Sequence, residues 1–586
     1  MRKVDALRAV RTKSELALLL GFKPAAFTYL LYKLKPSTQY QSFTIPKKSG
    51  GTRTIYAPSE RLKALQTSLS LLLQDCSEEI EKAWVGGSDS KSTLSHGFVR
   101  KRSIITNAMM HLHKKNILNV DLKDFFDSFN FGRVRGFFIT NREFCLNPDI
   151  ATAIAQIACH DNKLPQGSPC SPVITNLITN ILDIRLAALA RSHSCTYSRY
   201  ADDLTFSTRE KVFPSQIMKE DVGSYTPGKK LKSEIKRAGF ELNHKKTRIQ
   251  YMDSRQDVTG LIVNKKPNTR YEYWRTVRSQ CHSLFKSGSF TKKVDGKFIE
   301  GNIFELQGQL NFIDQIDYFN RLRQHPPLNP EYALSNHLIN TRKLLTGREV
   351  VFSRFLYYRH FYGNETATIL CEGKTDNVYL KSALNKLALK YPRLAIPKSA
   401  ANPYKLLVSF MNYTERTRFL LQLYGGTSYL HVFLNSFEEH YKFYNAPKPK
   451  NPVVVVLDND SGFNSIDGLL KGKLSGTPYP DTLSKSEFRK ADFIHVTKNL
   501  YVVLNPLGPK GEFSAIESLF SPATRNIKIS GKSFNPENNM DKNTEFGKEI
   551  FASKVVVANK DTIDFSGFDV LLSRITMCLE HYDLIR

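Results

Sequence analysis

Apolar and polar positions follow different spacings along the 586-residue chain. Residues 116–265 contain short apolar runs typical of strands, which alternate with stretches spaced like amphipathic helices, whereas residues 266–325 are helical and basic. Three prolines in "QHPPLNPEY" (324–332) indicate a connector, and residues 337–362 predict a helical bridge. A second pattern of strands and helices opens at residue 367. The spacing therefore predicts a multidomain α/β protein with two functional units.

The strand patterns of the first unit end on carboxylates. The apolar run Ile117–Val120 ends on Asp121, and Asp202 and Asp203 stand at the tip of a hairpin predicted within "YSRYADDLTFS" (197–207). Adjacent aspartates repel each other unless a cation lies between them, and three converging carboxylates suit two Mg²⁺ ions about 3.5–4 Å apart. An isolated Asp-Asp pair is usually an ordinary turn, but that alternative does not account for Asp121.

A second set of carboxylates follows the strand patterns of the C-terminal part. "NPVVVVLDNDSG" (451–462) contains an unbroken valine run, typical of a buried parallel strand, and it ends on Asp458 and Asp460. Glu372 follows the strand predicted within "ATILCEGKTD" (367–376). Ligands of open α/β sheets bind beyond the carboxyl ends of the strands, so these acids predict a second Mg²⁺ site.

The charge of the chain indicates its partners. A net charge of +29 favours a polyanion such as nucleic acid, the alternative being a generally basic surface. We expect basic residues of the segment 228–248 to contact nucleic acid: Lys229, Lys230, Lys232, Lys236, Arg237 and Arg248. Tyrosine, tryptophan and basic residues interleave in 271–286, where stacking on bases and helix packing remain equal alternatives.

Cysteine usage and hydropathy indicate the compartment. The eight cysteines form no CxxC pair, which argues against a zinc site and a disulfide framework. We find no apolar run long enough to cross a bilayer and no cleavable signal pattern at the N-terminus. We therefore expect a cytoplasmic protein without a membrane partner.

Several motifs resemble those of reverse transcriptases. "DLKDFF" after the first apolar run, "LPQGSPCSPVITNL" (164–177), "YADD" and "AGFELNHKKTRI" (238–249) occur in the family's order, and "NAMMH" (107–111) with "VTG" (258–260) is typical of bacterial retron reverse transcriptases. The likeness covers about residues 30–325. It implies a right-hand polymerase with an N-terminal region and fingers (1–115), a palm (116–265) and a thumb (266–325).

The resemblance implies a role for individual residues. Asp121, Asp202 and Asp203 would hold two catalytic Mg²⁺ ions, and the Phe126 ring would exclude the 2′-OH of ribonucleotides unless it belongs to the core. Lys246 would neutralise the leaving pyrophosphate, the alternative being a solvated lysine. The remaining contacts to the incoming dNTP and template would come from Lys48, Arg53, Gln166 and Gly167.

Beyond a bridge at 326–364, residues 365–586 resemble a Toprim domain, the metal-binding fold of topoisomerases, primases and the overcoming-lysogenisation-defect nucleases. The resemblance implies a parallel sheet on which three acids are catalytic and hold one or two Mg²⁺ ions: Glu372, Asp458 and Asp460. It adds Glu517 as a further metal ligand and leaves open which of three lysines assists cleavage: Lys542, Lys548 or Lys554. The alternative is a Toprim scaffold that has lost its activity.

Together the resemblances imply a retron RNA-directed DNA polymerase fused to a nuclease effector of anti-phage defence. Its template and primer would come from one structured non-coding RNA, giving branched RNA-linked multicopy single-stranded DNA that stays bound. A group II intron-like or other defence reverse transcriptase, and a ribonucleoprotein scaffold with a silent Toprim domain, are the alternatives. The nuclease substrate, the trigger and whether the chain forms a homo-oligomer stay open.

Overall fold

The computed structural model describes residues 2–47, 50–84, 94–221, 224–325, 327, 341–537 and 539–586. The chain divides into two compact units, residues 1–270 and residues 271–586.

The first unit combines helices with a small antiparallel sheet. Its helices are Lys3–Ala9 (α1), Lys13–Leu19 (α2), Pro24–Thr28 (α3, continued by a π-helical turn to Leu34), Glu60–Trp84 (α4), Ile104–Met109 (α5), Phe131–Thr140 (α6), Pro148–Ala158 (α7), Ser171–Arg191 (α8) and Lys229–Arg237 (α9). Its strands are Tyr40–Pro46 (β1), Thr52–Pro58 (β2), Asn116–Asp121 (β3), Cys195–Tyr200 (β4), Asp203–Thr208 (β5), Met218–Asp221 (β6), Ser224–Pro227 (β7), Arg248–Tyr251 (β8), Asp257–Val258 (β9) and Leu261–Ile262 (β10).

A four-stranded sheet with the order β4-β5-β3-β8 forms the centre of the first unit. All neighbouring strands in it are antiparallel, and β4 and β5 form a hairpin joined by Ala201 and Asp202. Leu118 and Val120 of β3 and Leu204 and Phe206 of β5 are buried in one apolar core, which packs the sheet against the helices. The hairpin is therefore a part of the core sheet and not a surface loop.

Helix α8 corrects one expectation from the sequence. It is long and apolar enough by length and composition to cross a membrane, which we did not expect of any segment. However, 61% of its most apolar stretch is buried inside the protein, with Ile178, Leu182 and Leu186 on one face. Its apolar composition is explained by this packing, because such a stripe at helical spacing faces a core.

The second unit begins with the two helices Tyr271–Ser287 (α10) and Ile303–Leu322 (α11). The other helices of this unit are Gly347–Tyr357 (α12, continued by a π-helical turn to Tyr362), Lys374–Leu387 (α13), Glu415–Leu421 (α14), Thr427–Tyr441 (α15), Phe463–Lys471 (α16), Pro522–Arg525 (α17), Lys548–Ile550 (α18, continued by a π-helical segment to Val557) and Asp569–Ile585 (α19). Its strands are Thr291–Val294 (β11), Lys297–Glu300 (β12), Thr368–Cys371 (β13), Ala395–Ile396 (β14), Lys405–Leu406 (β15), Ser409–Phe410 (β16), Val453–Leu457 (β17), Thr477–Tyr479 (β18), Phe493–Thr497 (β19), Leu500–Leu504 (β20), Ser533–Phe534 (β21) and Glu545–Phe546 (β22).

A mixed six-stranded sheet with the order β16-β13-β17-β20-β19-β18 forms the centre of the second unit. The strands β16, β13, β17 and β20 are parallel, whereas β19 and β18 run antiparallel. The valine run is β17, and all five of its residues are buried because apolar clusters cover both faces of the sheet. The carboxyl ends of β13 and β17 consequently lie side by side.

The helices that we expected as a thumb lie in the same compact unit as this sheet. Helices α10 and α11 share an apolar cluster with α12 and with one face of the sheet. Arg321 of α11 and Glu349 of α12 form a buried ion pair, and Arg416 of α14 binds both Asp314 of α11 and Glu349. Charged side chains at these depths are expected only when they are paired.

Candidate active sites

The first acidic site consists of Asp121, Asp202 and Asp203 at one end of the four-stranded sheet. Asp121 ends β3, Asp203 begins β5, and the two residues are directly opposite each other in the antiparallel pair. Asp202 lies in the hairpin turn, and its carbonyl oxygen accepts a 3.0 Å hydrogen bond from the N–H of Leu122. The pairing of the strands thus brings all three carboxylates together.

The three carboxylates of the first acidic site lie close enough for their charges to act on one another. Lys246 Nζ lies 2.7 Å from Asp121 Oδ2, and Asn243 Nδ2 donates to Asp121 Oδ1 at 3.0 Å. Desolvation and the charges of Asp202 and Asp121 nevertheless raise the pKa of the Asp203 carboxyl to about 6. Desolvation and Asp121 raise the pKa of Asp202 as well. A further cation at this site would relieve that repulsion.

A buried arginine that the sequence pattern did not single out is hydrogen-bonded to the turn of the hairpin. Arg199 of β4 forms two hydrogen bonds to Asp183 of α8, with Nε to Oδ1 at 2.8 Å and Nη2 to Oδ2 at 2.7 Å. Its Nη1 donates to the carbonyl oxygen of Ala201 at 3.0 Å, and Tyr197 donates to the same aspartate at 2.7 Å. Arg199 and Asp183 are 0% and 1% exposed. This ion pair therefore fixes the turn that carries Asp202.

The "NAMMH" and "VTG" segments support the same hairpin. His111 lies between two strand hydroxyls, 2.7 Å from Ser207 Oγ and 2.8 Å from Ser198 Oγ, and Ser198 donates to Asn107 Oδ1 at 2.7 Å. Burial lowers the pKa of His111 to about 3, so the ring is neutral. Thr259 of "VTG" contacts the first residue of α5 through a 3.3 Å hydrogen bond to its carbonyl oxygen. The first segment therefore supports the hairpin directly, and the second contacts the helix that carries Asn107.

The two adjacent phenylalanines after Asp121 have different environments. Phe125 is 4% exposed and stacks on Phe240 at 5.8 Å between ring centroids, so it is a core residue. Phe126 is half-buried and meets Phe98 edge-on at 6.4 Å. Phe125 is therefore a core residue, whereas Phe126 packs partly against the same core and keeps an accessible surface.

The other residues predicted to contact the nucleotide lie around strand β2. The Gln166 carbonyl oxygen accepts a 2.8 Å hydrogen bond from the N–H of Tyr56 in β2. Gly167 has φ +122°, and a Cβ atom there would lie 2.4 Å from the Tyr56 carbonyl oxygen, so glycine is required for this contact. Arg53, also in β2, is near enough to Asp202 for its charge to favour the ionised carboxylate. Lys48 lies outside the described residues.

The basic residues of the segment 228–248 that we expected to contact nucleic acid have two different environments. Helix α9 buries Leu231 and Ile235 and exposes its cations: Lys229, Lys230, Lys232, Lys236 and Arg237. Arg248 instead pairs with the buried Asp257, which Arg270 also binds. In α10, Tyr273 and Trp274 pack against the core of the second unit and Tyr271 is 69% exposed.

The second acidic site consists of Glu372, Asp376, Asp458 and Glu517 at the carboxyl ends of β13 and β17. Glu372 follows β13, and its Oε2 accepts a 3.3 Å hydrogen bond from the N–H of Asp458, which follows β17. Asp458 Oδ1 accepts from Asn505 Nδ2 at 2.7 Å and from the N–H of Ile516 at 2.8 Å. The latter bond places the neighbouring Glu517 beside the sheet edge.

A carboxyl pKa is raised further in the second acidic site than in the first. Desolvation, followed by the charges of Asp376, Glu372 and Glu517, raises the pKa of Asp458 to about 8. Burial raises the pKa of Asp376 to about 6, against the stabilising hydrogen bond from the N–H of Gly373. Perturbed carboxyls grouped in this way are typical of functional sites.

The structure distinguishes between the three lysines that we considered as residues assisting cleavage. Lys548 Nζ lies 3.1 Å from Glu517 Oε1, and Glu517 is only 3% exposed. Lys542 and Lys554 are exposed, and among the described residues neither forms an ion pair with the acidic site. Only Lys548 of the three is therefore placed in contact with these carboxylates.

One acid of the second acidic site, Asp376, was not singled out from the sequence, whereas Asp460 was. Asp376 is the third residue of α13, where its carboxylate caps the helix; the spacing "EGKTD" was the available signal. Asp460 Oδ1 accepts a 2.8 Å hydrogen bond from the N–H of Gly462, within its own loop.

Both acidic sites have donor sets that fit a hard divalent cation. Within the described parts of the chain, no three His, Cys, Asp or Glu side chains are arranged around one point as a ready metal site. The donors are nevertheless all carboxylate oxygens, which Mg²⁺ prefers, and desolvation together with the charges of neighbouring carboxylates raises the pKa values of Asp203 and Asp458. The residues that would hold such an ion are therefore Asp121, Asp202 and Asp203 in the first site, and Glu372 and Asp458 with Glu517 in the second.

Comparison with known proteins identifies the class of the first unit. The family model of "Reverse transcriptase (RNA-dependent DNA polymerase)" matches residues 45–273. A retron reverse transcriptase of Escherichia coli, Ec86, is 34% identical over 282 residues, covering 48% of this chain and 77% of that protein. The chain belongs to the retron reverse transcriptase family.

Other relatives extend the comparison. The retron Mx65 reverse transcriptase of Myxococcus xanthus is 34% identical over 297 residues, and the match covers 47% of this chain and 64% of that protein. The chain thus spans slightly less than two thirds of this relative. A solved telomerase from Candida tropicalis matches with a TM-score of 0.30 and 13% identity, covering 56% of this chain and 62% of that one.

Proposed function

We propose that the first unit is an RNA-directed DNA polymerase that makes the DNA of a retron. The observation that carries this proposal is the pairing of Asp121 with Asp203, with Asp202 in the adjoining turn, beside Lys246. Three carboxylates on a rigid sheet suit phosphoryl transfer, in which catalysis is mainly positioning and neutralisation of charge. Membership of the retron reverse transcriptase family supports it further.

Each residue around the first acidic site then has a task. Asp121, Asp202 and Asp203 would hold two Mg²⁺ ions, and these ions would supply positive charge that favours attack of a primer hydroxyl on a dNTP. Lys246, held against Asp121, is placed to neutralise the leaving pyrophosphate. Arg53 binds the triphosphate and Phe126 stands against C2′ of the incoming sugar. The basic face of α9 follows the phosphates of the template and product.

The substrate of this polymerase is a structured non-coding RNA that supplies both template and primer. The priming group is the 2′-OH of a guanosine in that RNA, and the product is branched RNA-linked multicopy single-stranded DNA. Small DNA extracted from cells carrying the chain with its RNA should contain this product. Its absence in the presence of the cognate RNA would contradict the proposal.

The test replaces two carboxylates without changing their size. Asp202→Asn with Asp203→Asn should abolish DNA synthesis while the protein stays folded, because the amides bind metal poorly and no longer repel each other. The matched control is Asp161→Asn, whose side chain is exposed. Normal yields of branched DNA from the double variant would refute the assignment of the site.

We further propose that the second unit is a Toprim-like, metal-dependent nuclease. Glu372, Asp376, Asp458 and Glu517 meet at the carboxyl edge of parallel strands, and the Lys548 cation lies against Glu517. A divalent cation held there would polarise a phosphodiester, and Lys548 is placed to stabilise the charge that develops during cleavage. Asp460 remains a candidate ligand, because its hydrogen bond from the N–H of Gly462 occupies only Oδ1.

The two activities should be separable. Glu372→Gln or Asp458→Asn should preserve DNA synthesis and remove metal-dependent cleavage together with any phage protection. The matched control Asp467→Asn removes a carboxylate that pairs with Lys471 on the outside of α16. Cleavage that survives both site variants would leave the second unit as a scaffold without nuclease activity.

We propose that the bound RNA–DNA product restrains this nuclease, as an effector of anti-phage defence requires. The net charge of +29 favours retention of the product on the protein. Degrading the DNA part of the complex with an added nuclease should then switch on cleavage that depends on Glu372 and Asp458. Equal cleavage with and without intact product would refute the restraint and leave the nuclease assignment in place.

A further inference from the structure

Two cations without carboxylate partners lie beside the second acidic site. Lys374 Nζ is 4.2 Å from the centroid of the Tyr424 ring, and the Arg418 guanidinium carbon is 4.6 Å from the same centroid. Arg418 Nε also donates to the Tyr429 hydroxyl at 2.9 Å. Among the described residues, no Asp or Glu forms an ion pair with Lys374 or Arg418. We call Lys374, Arg418, Tyr424 and Tyr429 the cation–tyrosine cluster.

The backbone connects this cluster directly to Glu372. Lys374 follows Glu372 by two residues, at the start of α13. On the other side, the N–H of Gly426 donates to the Glu372 carbonyl oxygen at 2.7 Å, and Thr427 Oγ1 donates to Glu372 Oε1 at 2.6 Å. The segment that carries Tyr424 is thus hydrogen-bonded to a residue of the acidic site, so the two sites are neighbours.

The helix that carries Arg418 is fixed from its other side. Arg416 of α14 binds Asp314 with Nε to Oδ2 at 2.9 Å, and the carbonyl oxygens of Phe419 and Leu420 accept hydrogen bonds of 2.8 and 2.7 Å from Thr341 and Ser353. Arg418 is therefore presented by a rigid helix and not by a loose loop. A cation that is already placed loses less entropy when it binds an anion.

We propose that the cation–tyrosine cluster binds a backbone phosphate of the nucleic-acid strand that the second acidic site cleaves. This inference rests on the proposed nuclease function and adds a binding site for a phosphate that flanks the scissile one. Cation–π contacts place Lys374 and Arg418 together while leaving their positive charge uncompensated, and a phosphodiester supplies the missing anion. Carboxylates cannot attract a polyanion by themselves, so a substrate of this site needs neighbouring cations.

The first experiment measures binding at this cluster independently of cleavage. The full chain carrying Glu372→Gln is photo-crosslinked to a 5-bromouracil-labelled single strand, and crosslinked peptides are mapped by mass spectrometry. We expect a crosslink within the peptide that contains Tyr424 and Tyr429, and its loss in Lys374→Ala with Arg418→Ala. The charge-matched control, Lys398→Ala with Lys528→Ala, removes two exposed lysines of the same unit and should keep the crosslink.

The second experiment measures cleavage with the same double variant in an otherwise unchanged chain. Loss of each phosphate contact should raise KM about tenfold and leave kcat nearly unchanged. Lys374→Arg with Arg418→Lys retains the charges and should restore most of the affinity, which a purely structural role of the ring contacts would not predict. Unchanged thermal unfolding of the alanine variant confirms that it folds.

The outcomes separate this inference from the nuclease proposal. A charge-dependent crosslink at Tyr424 without any cleavage by the unmodified chain would keep the phosphate site and refute the nuclease. Cleavage with unchanged KM in the alanine double variant would refute the phosphate site and keep the nuclease. Competition by dNTP or inorganic phosphate as effective as by a strand of equal phosphate concentration would show a free-phosphate site and overturn the proposal of a strand.

Discussion

Substitutions of the buried ion pair between Arg199 and Asp183 allow its effects on stability and on DNA synthesis to be measured separately. Asp183→Asn leaves the guanidinium in the core without a counter-charge, and breaking a buried pair in this way costs about 3–5 kcal/mol. Three contacts make the high end of that range reasonable here, because Asp183 accepts two hydrogen bonds from Arg199 and one from Tyr197. The strands β4 and β5 should open far more often than in the unmodified protein.

Replacing both partners should give a different result. Asp183→Leu with Arg199→Met removes both charges, and apolar replacements of buried ion pairs are often neutral in stability. The Tyr197 hydroxyl and the Ala201 carbonyl oxygen lose their partners, at about 1–3 kcal/mol for each buried group left unsatisfied. We therefore expect partial recovery of stability but no recovery of DNA synthesis, because the turn that carries Asp202 then lacks the hydrogen bond from Arg199 to the Ala201 carbonyl oxygen.

Hydrogen exchange and primer extension measure the two effects. Amide hydrogen exchange in the peptide 195–208 should accelerate about a hundredfold or more in Asp183→Asn, because its rate follows the free energy of opening the strands. The acceleration should be considerably smaller in the double variant. Primer extension should be lost in both. Normal extension by the double variant would refute the reasoning, because Arg199 would then only stabilise the fold and would not position the site.

Three further predictions follow from the surroundings of Phe126, Gly167 and Asp458. Phe126→Ala should lower discrimination against ribonucleotides roughly tenfold in matched rNTP and dNTP incorporation, and an unchanged ratio would mean that the ring only packs. Gly167→Ala should destabilise the contact with β2 by about 1–3 kcal/mol through its positive φ alone, seen as a lower midpoint of thermal unfolding; an unchanged midpoint would contradict this. The pKa of Asp458 is raised above its unfolded value, so this carboxyl binds its proton more tightly in the folded state, and its contribution to stability falls as pH rises from about 4 to about 8. In EDTA, the protein should therefore gain thermal stability between pH 8.5 and pH 6, and Asp458→Asn should remove part of that gain; an unaltered difference would show that other groups cause it.

The position of the acids at strand ends could be predicted from the sequence. Apolar runs that stop at Asp121 and Asp458 correspond to β3 and β17, because a buried strand tolerates a carboxylate only where it leaves the core. The same rule could not predict Asp183 and Arg199, which lie inside a helix and a strand. A charge within an apolar stretch indicates a buried partner, but only folding shows which residue it is.

Choices between similar neighbours also required the structure. Lys548, Lys542 and Lys554 are equivalent in the sequence, and only the tertiary packing brings Lys548 into contact with Glu517. Phe125 and Phe126 differ in burial because adjacent residues of a turn face different surroundings. Local pattern predicts which segments carry the chemistry, whereas tertiary contacts decide which side chain performs it.

The contacts of helix α14 give a physical basis for coupling within the second unit. Arg416 on this helix binds Asp314 of α11 and Glu349 of α12, while the chain that follows it bonds through Gly426 to Glu372. A displacement of α11 must therefore either break the ion pair at Arg416 or carry α14 with it. This ion pair is largely shielded from solvent and breaking it is unfavourable, so movement of α14, and with it of the backbone at Glu372, is the less costly response. If α11 contacts the RNA–DNA product as a thumb helix would, binding and loss of that product reach the second acidic site through α14.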